Sequence, residues 1–209
     1  LPNFIFSSRD VVVVLGQDGL VANVLKYLDQ QPVVAINPDP QRYDGLLLPF
    51  RVAEVAIVKE VLKQRYRAKA ITMAQAQVND GQTLLAVNDF FIGPRYPLSA
   101  RYQLQIDGQQ ENQLSSGIIV STGLGSSGWL KSILAGASGI MGQAQPVASQ
   151  PFAWDSRCLY YAVREPFASK TTHTQLVYGK IAENSPLVIA SQMAINGILF
   201  SDGMLDDYI

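Results

Sequence analysis

The sequence predicts an α/β domain with a parallel sheet over residues 1–70, followed by a β-sandwich-like, all-β domain over residues 71–209. Three observations carry this. A β-branched run, Asp10-Val-Val-Val-Val-Leu15, ends in the turn Gly16-Gln-Asp-Gly19 and leads into a segment of helical periodicity. A second apolar run, Pro32-Val-Val-Ala-Ile36, follows, which completes a strand, helix, strand unit. From about Ala70 onward the chain changes to short β-rich stretches punctuated by turn signals.

Uninterrupted β-branched runs such as the one at Asp10–Leu15 are typical of strands buried on both faces of a parallel sheet. After the turn, Leu20, Val21, Val24, Leu25 and Leu28 fall on one face of a helix. Strands joined by a crossover helix pair in parallel. The same periodicity predicts a second helix over Arg51–Arg67. In the second half the turn signals are Asn79-Asp-Gly81, Asp107-Gly108, Glu183-Asn-Ser-Pro186, Asn196-Gly197 and Ser201-Asp-Gly203. Gly117–Ser121 and Leu187–Ser191 are its clearest strands, and one helix interrupts it at about Ser126–Leu134, opened by serines suited to capping a first turn. The chain opens on Leu1 rather than methionine and enters a strand almost at once, so the α/β domain is expected to be truncated, with any targeting peptide upstream.

Composition excludes several classes of function. The single cysteine, Cys158, forbids an intrachain disulfide and a thiolate metal cluster, which suits a reducing, cytoplasmic setting. With 16 basic and 17 acidic residues and no basic run interleaved with aromatics, no nucleic-acid partner is expected. The apolar runs, such as Val11–Leu15 and Ala53–Val58, fall short of the roughly 20 residues of a membrane helix. Charged residues make up 16% of the chain, against roughly 25% in ordinary domains, which points to surface covered by further subunits in a homodimer or homotetramer.

The chemistry concentrates at the glycine turn. Gly16 and Gly19 permit close backbone approach, and the helix that follows supplies N–H groups suited to an anion. Asp18 is out of place in a simple phosphate cradle, because a carboxylate repels phosphate. It makes sense there as the acceptor of a proton from an attacking hydroxyl or as a reach to Mg2+, or else as a first-turn acid stabilising the helix N-terminus.

Gly16-Gln-Asp-Gly19 resembles the Gly-Gly-Asp-Gly signature of NAD kinases, which diacylglycerol, sphingosine and phosphofructo-kinases share in variant form. Ala86-Val-Asn-Asp89 is similar to the Asn-Glu motif of NAD kinases, with Asp89 for glutamate, and Ser121-Thr-Gly-Leu-Gly-Ser-Ser-Gly-Trp129 to their Ser-Thr-Pro-Thr-Gly-Ser-Thr-Ala-Tyr loop. The three motifs occur in the family's order and span essentially the whole chain.

The resemblance implies a truncated Rossmann-like domain followed by an NAD kinase C-terminal domain. It further implies phosphoryl transfer from ATP or polyphosphate, with Mg2+, to the 2'-hydroxyl of the adenosine ribose of NAD, giving NADP. On it, Asp18 orients or deprotonates that hydroxyl and is the residue through which Mg2+ would be reached. Asn88 and Asp89 hold ribose hydroxyls on the nicotinamide side. Ser127, Gly128 and Trp129 line the adenine pocket, with Ser132 one turn later, and Gly16, Gln17 and Gly19 face the donor phosphates. Several residues depart from the family pattern. Gln17 replaces a glycine and Leu20 a threonine in the first motif; Leu124 replaces a threonine in the third; Ser116 stands where an aspartate is frequent; Trp129 keeps a stacking surface without the phenol oxygen. Gln17 and Leu20 at the donor turn suggest one alternative to the enzyme, a dinucleotide-binding relative without catalysis; a second is a lipid or sugar kinase sharing only the glycine signature.

His173, in an alternating polar stretch, reads as a surface strand residue, Cys158 as a packed core thiol, and Arg164-Glu165 as an exposed pair.

Overall fold

A computed structural model describes residues 4–142, 152–193, 195–203 and 208–209, so residues 1–3 of the first predicted domain lie outside it. The chain forms two compact units that divide between Lys69 and Ala70.

In the first unit, strand β1 (Val12–Leu15), helix α1 (Asp18–Leu25), strand β2 (Val33–Asn37), the short strand β3 (Phe50–Arg51) and helix α2 (Ile57–Leu62) follow in order. The sheet is parallel with order β1-β2-β3, Val12 pairing with Val33 and Ile36 with Phe50. Helix α1 buries Val21, Ala22 and Val24, the inward face its periodicity marks. Helix α2 places Ile57, Val58 and Val61 against Val34, Ile36 and Phe50.

Two expectations are corrected here. β1 is not buried on both faces: Val14 is buried, whereas Val13 and Leu15, which alternate to the other side, are 45% and 57% exposed. The helix expected over Arg51–Arg67 is shorter. Arg51 belongs to β3, its N–H is taken by the Glu54 side chain at 2.9 Å, and Val52–Glu54 is a 3-10 turn. Helix α2 then ends near Gln64, whose backbone is left-handed at φ 57. The helical pattern runs on beyond the core that can support it, and Val52, Val55 and Leu62 stay exposed.

The second unit contains strands β4 (Ala74–Gln77), β5 (Thr83–Ala86), β6 (Asp89–Pro94), β7 (Ala100–Ile106), β8 (Gln109–Ser115) and β9 (Ile118–Ser121), helix α3 (Trp129–Ile140), and strands β10 (Cys158–Val163), β11 (Tyr178–Ala182), β12 (Val188–Ser191) and β13 (Gly197–Ser201). They form a five-stranded sheet β11-β10-β9-β6-β13, a three-stranded sheet β12-β7-β8 and a hairpin β4-β5. Phe90, Ile118, Val120, Tyr161 and Val163 on one face of the large sheet meet Ala100, Tyr102, Leu104 and Ile106 of the small one. Phe91, Ile119 and Ile198 alternate to the opposite face and pack on Trp129 and Ile133 of α3. The sandwich therefore has a helix over its outer side, which explains why β6 and β9 are buried almost throughout rather than at alternate residues.

α3 begins at Trp129, after a 3-10 turn over Gly125–Ser127, and its serines do not cap it. Ser126 and Ser127 hydroxyls instead donate back to the carbonyls of Gly123 at 2.7 Å and Leu124 at 3.4 Å. His173 lies exposed in a loop rather than in a strand, and Cys158 is half-buried at the start of β10.

Candidate functional site

At the glycine turn of the first unit, Gln17 is extended, with φ -95 and ψ 164, and α1 starts at Asp18. The Gln17 side chain makes no cap to the helix; its amide donates to the Tyr43 hydroxyl at 3.2 Å. Asp18 is likewise more than a first-turn acid, because its Oδ1 accepts the N–H of Leu47 at 2.6 Å. That fixes the carboxylate to the loop that follows β2. The loop is itself shaped by buried Asn37, which donates to the Tyr43 carbonyl at 3.1 Å and accepts the Asp39 N–H at 3.0 Å. Leu47 and Asn37 were not singled out from the sequence, since neither carries a signal without the fold. A Cβ on Gly19 would meet open space, whereas one on Gly16 would run into a methyl of Leu20 at 2.7 Å. The turn thus presents a glycine open to close approach and a helix N-terminus, which suit an anion, beside a held carboxylate, which does not and which calls for a task of its own.

In the second unit the structure brings the other two motifs into one piece. Val87 and Asn88 are the only residues between β5 and β6. Thr122 reaches them twice: its N–H donates to the Asn88 carbonyl at 2.9 Å and its hydroxyl to the Val87 carbonyl at 2.6 Å. The same hydroxyl accepts the Gly125 N–H at 3.1 Å. At Gly125 any Cβ would overlap the Asn88 carbonyl, so the third motif can lie on the second only with glycine there. Ser121 pairs across the sheet with Asp89.

Asp89 is 8% exposed, and its carboxyl stands at about 7 rather than 3.8, first because burial penalises the charge and second because the Asp202 carboxylate lies nearby. Asp202 was read from the sequence only as part of a turn signal. Its carboxylate accepts the N–H groups of Val87 at 3.1 Å, Asn88 at 2.7 Å and Asp89 at 3.3 Å. Asn88 is half-buried.

Ser127 and Gly128 are exposed where the loop turns into α3, and Ser132 is exposed one turn on, its hydroxyl donating to the Gly128 carbonyl at 3.3 Å. Trp129 is half-buried. Its ring lies parallel to Phe91, 5.9 Å between centroids at 7°, and the Arg164 guanidinium stands 5.7 Å from its centre. Much of the indole is therefore engaged by the protein, and Arg164, read as one of an exposed pair, has a second contact besides Glu165 at 3.6 Å. Among the described residues, no group of three or more His, Cys, Asp or Glu side chains is placed to hold a metal ion, and no helix is long and apolar enough to cross a membrane.

No protein-family model matches the sequence, and no curated protein matches it significantly. The fold does have solved counterparts. A yeast NADH kinase complexed with NADH superposes with TM-score 0.67 at 19% identity, over 93% of this chain and 53% of that one. An NAD kinase from Archaeoglobus fulgidus in complex with ATP superposes with TM-score 0.65 at 21% identity, over 96% of this chain and 70% of that one. The chain thus spans about half the length of the yeast protein. At such identities the likeness establishes the fold: a mixed α/β chain with several sheets, similar to NAD kinase structures.

Proposed function

We propose that the protein is an NAD kinase-like phosphotransferase that phosphorylates the 2'-hydroxyl of the adenosine ribose of NAD, with ATP or polyphosphate as donor. The observation that carries the reading is the lock between Asn88 and the Thr122–Gly125 stretch. Two motifs separated by more than thirty residues, each matched to the family on sequence, meet through Thr122 and the bare backbone of Gly125. Fold likeness to one kinase complexed with NADH and another complexed with ATP supports it.

On this reading Asn88 and Asp89 hold ribose hydroxyls, a task suited to an amide and a carboxylate side by side. Ser127, Gly128, Trp129 and Ser132 receive the adenosine part. Gly16, Gln17 and Gly19 face the donor phosphates. Asp18 orients the acceptor hydroxyl and takes its proton late. Phosphoryl transfer has a loose transition state that asks for positioning and charge neutralisation more than for a strong base. With Oδ1 tied to Leu47, the Asp18 carboxylate is pre-oriented for that role. Mg2+ bound with the nucleotide would supply charge neutralisation at the phosphates. One carboxylate suffices for such an ion, which draws its other ligands from phosphate and water, so Asp18 fits. A homo-oligomeric, cytoplasmic enzyme is part of the same proposal, the first supported by the low charged fraction of 16% and the second by the single cysteine.

A second reading, NAD binding without transfer, is favoured by one feature: Gln17, where the family has glycine, bonded to Tyr43 beside the donor turn. Incubating the protein with NAD, ATP and Mg2+ and reading NADP separates the two. Asp18→Asn should lower turnover by about a hundredfold or more with NAD affinity little changed. NAD binding without NADP formation would leave the second reading, and no NAD binding would return a lipid or sugar kinase to consideration.

A further inference from the structure

We propose that Asp202, at the turn after β13, is a positioning residue for the acceptor site, its carboxylate gathering the N–H groups of Val87, Asn88 and Asp89 and so fixing the turn that presents Asn88 and Asp89. The inference rests on the acceptor-site reading above and adds to it a residue that lies outside the three motifs.

The peptides of this turn have no sheet of their own. β5 belongs to the hairpin with β4, β6 to the five-stranded sheet, and the chain changes from one to the other over Val87 and Asn88. Val87 is fully buried and Asp89 nearly so, so their backbone groups need partners inside the protein. Three successive N–H groups converging on one anion form a nest. Asp202 supplies that anion from 113 to 115 residues away, with Oδ1 serving Asn88 and Asp89 and Oδ2 serving Val87. Its own N–H donates to the Asp89 carbonyl at 2.9 Å. Thr122 holds the carbonyls of Val87 and Asn88 from the other side. The turn is therefore gripped by its donors through Asp202 and by its acceptors through Thr122. Asp202 adopts a left-handed backbone at φ 53 to do this, a conformation that aspartate tolerates better than most residues.

Only an aspartate meets the geometry. Asparagine would turn an amide NH2 toward one of the N–H groups, and glutamate would carry the carboxylate one methylene too far. The same charge also acts on Asp89. Among the described residues, Asp202 is the charged group that holds the Asp89 carboxyl up beyond the effect of burial; the cross-strand neighbour from β9 is the neutral Ser121. If ionised Asp89 binds ribose hydroxyls, NAD affinity rises with pH through about 7. Removing the like charge at 202 moves that rise to lower pH.

Calorimetry with NAD from about pH 5 to about pH 9 tests this on wild type, Asp202→Asn and Asp202→Glu, each checked for folding by circular dichroism. Both variants should bind NAD about tenfold more weakly or worse, the scale of lost charge-assisted hydrogen bonds. Asp202→Asn should also move the midpoint of the pH dependence down by about one pH unit, while Asp202→Glu, which keeps the charge, should leave it in place. An unmoved midpoint in Asp202→Asn overturns the proposal, because the charge at 202 would then not act on Asp89. So does unchanged NAD affinity in either folded variant; if Asp202→Asn does not fold, Asp202→Glu decides. Wild type that binds no NAD at any pH would instead overturn the acceptor-site reading itself.

Discussion

Replacing Asp89 by asparagine removes a buried carboxyl whose ionisation the fold resists, and the consequence for stability can be worked through. In the unfolded chain the group titrates near its ordinary 3.8, and in the fold at about 7. The folded protein therefore holds this proton more tightly, and the stability it confers is fully present below about pH 4 and lost as pH rises through about 7. At 1.36 kcal/mol per decade the full loss is about 4 kcal/mol, of which about 2.5 kcal/mol falls between pH 5 and pH 8. That is a large share of the roughly 5 to 15 kcal/mol that holds a domain together. Asparagine has no proton to lose, so Asp89→Asn should gain on wild type by about that amount as pH rises over this interval. Any new contact between the amide and Asp202 adds a constant offset and leaves the slope alone. Denaturant unfolding followed by tryptophan fluorescence is the assay, because both tryptophans, Trp129 and Trp154, lie in the second unit and report on it. Parallel stability curves for the two proteins from pH 5 to pH 8 would refute the argument, since they would mean that Asp89 ionises as an ordinary surface acid does.

Gly125→Ala forces a methyl against the Asn88 carbonyl, and should cost about 1 to 3 kcal/mol in the same unfolding assay, the range of an overpacked interior; full stability would show that the two motifs are not locked together. Trp129→Ala removes the partner of Phe91 and should lower the melting temperature as well as weaken NAD binding by about 1 to 3 kcal/mol, the scale of one base-aromatic stack. A lower melting temperature with unchanged NAD affinity would assign the indole to the core alone. Gln17→Gly frees the donor turn of a side chain now bonded to Tyr43, and should leave NAD affinity alone while raising the rate of NADP formation; a slower rate would give that bond a useful role.

What the sequence made legible, and what it did not, follows from the range of the forces involved. The first β-α-β unit was readable because β-branched runs and a glycine turn act locally: β1, α1 and β2 appear where the pattern places them, within a few residues. The Arg51–Arg67 helix was overdrawn because periodicity records only which face is apolar. The core underneath supports Ile57, Val58 and Val61, while Glu54 ties up the entry and Gln64 turns the exit. Candidate site residues at Asn88, Asp89 and Ser127–Trp129 were found by motif. The physical state of Asp89 was not, because desolvation depends on neighbours from β9 and β13 that no local pattern announces. Asp202 was hidden for the same reason. A Ser-Asp-Gly triplet reads as a turn wherever it occurs, and its bonds reach 113 to 115 residues back along the chain. The serines before α3 misled because a hydroxyl near a helix start has two uses, and here the carbonyls of the preceding turn outcompete the first helical N–H groups.

The passage from β5 to β6 through two residues has a consequence for how this protein tolerates changes in length. In the hairpin turn at Asp80–Gly81 or the one at Asp107–Gly108, an extra residue would lengthen an exposed loop and leave the paired strands where they are. Between Ala86 and Asp89 there is no slack. One added residue would slide β6 by a single step against β9 and β13, sending Phe90 toward the helix and Phe91 toward the small sheet, and turning Asp89 to the opposite face. A scan of single-residue insertions along the second unit should therefore show permissive sites at the two hairpin tips and an intolerant gap at residues 87–88.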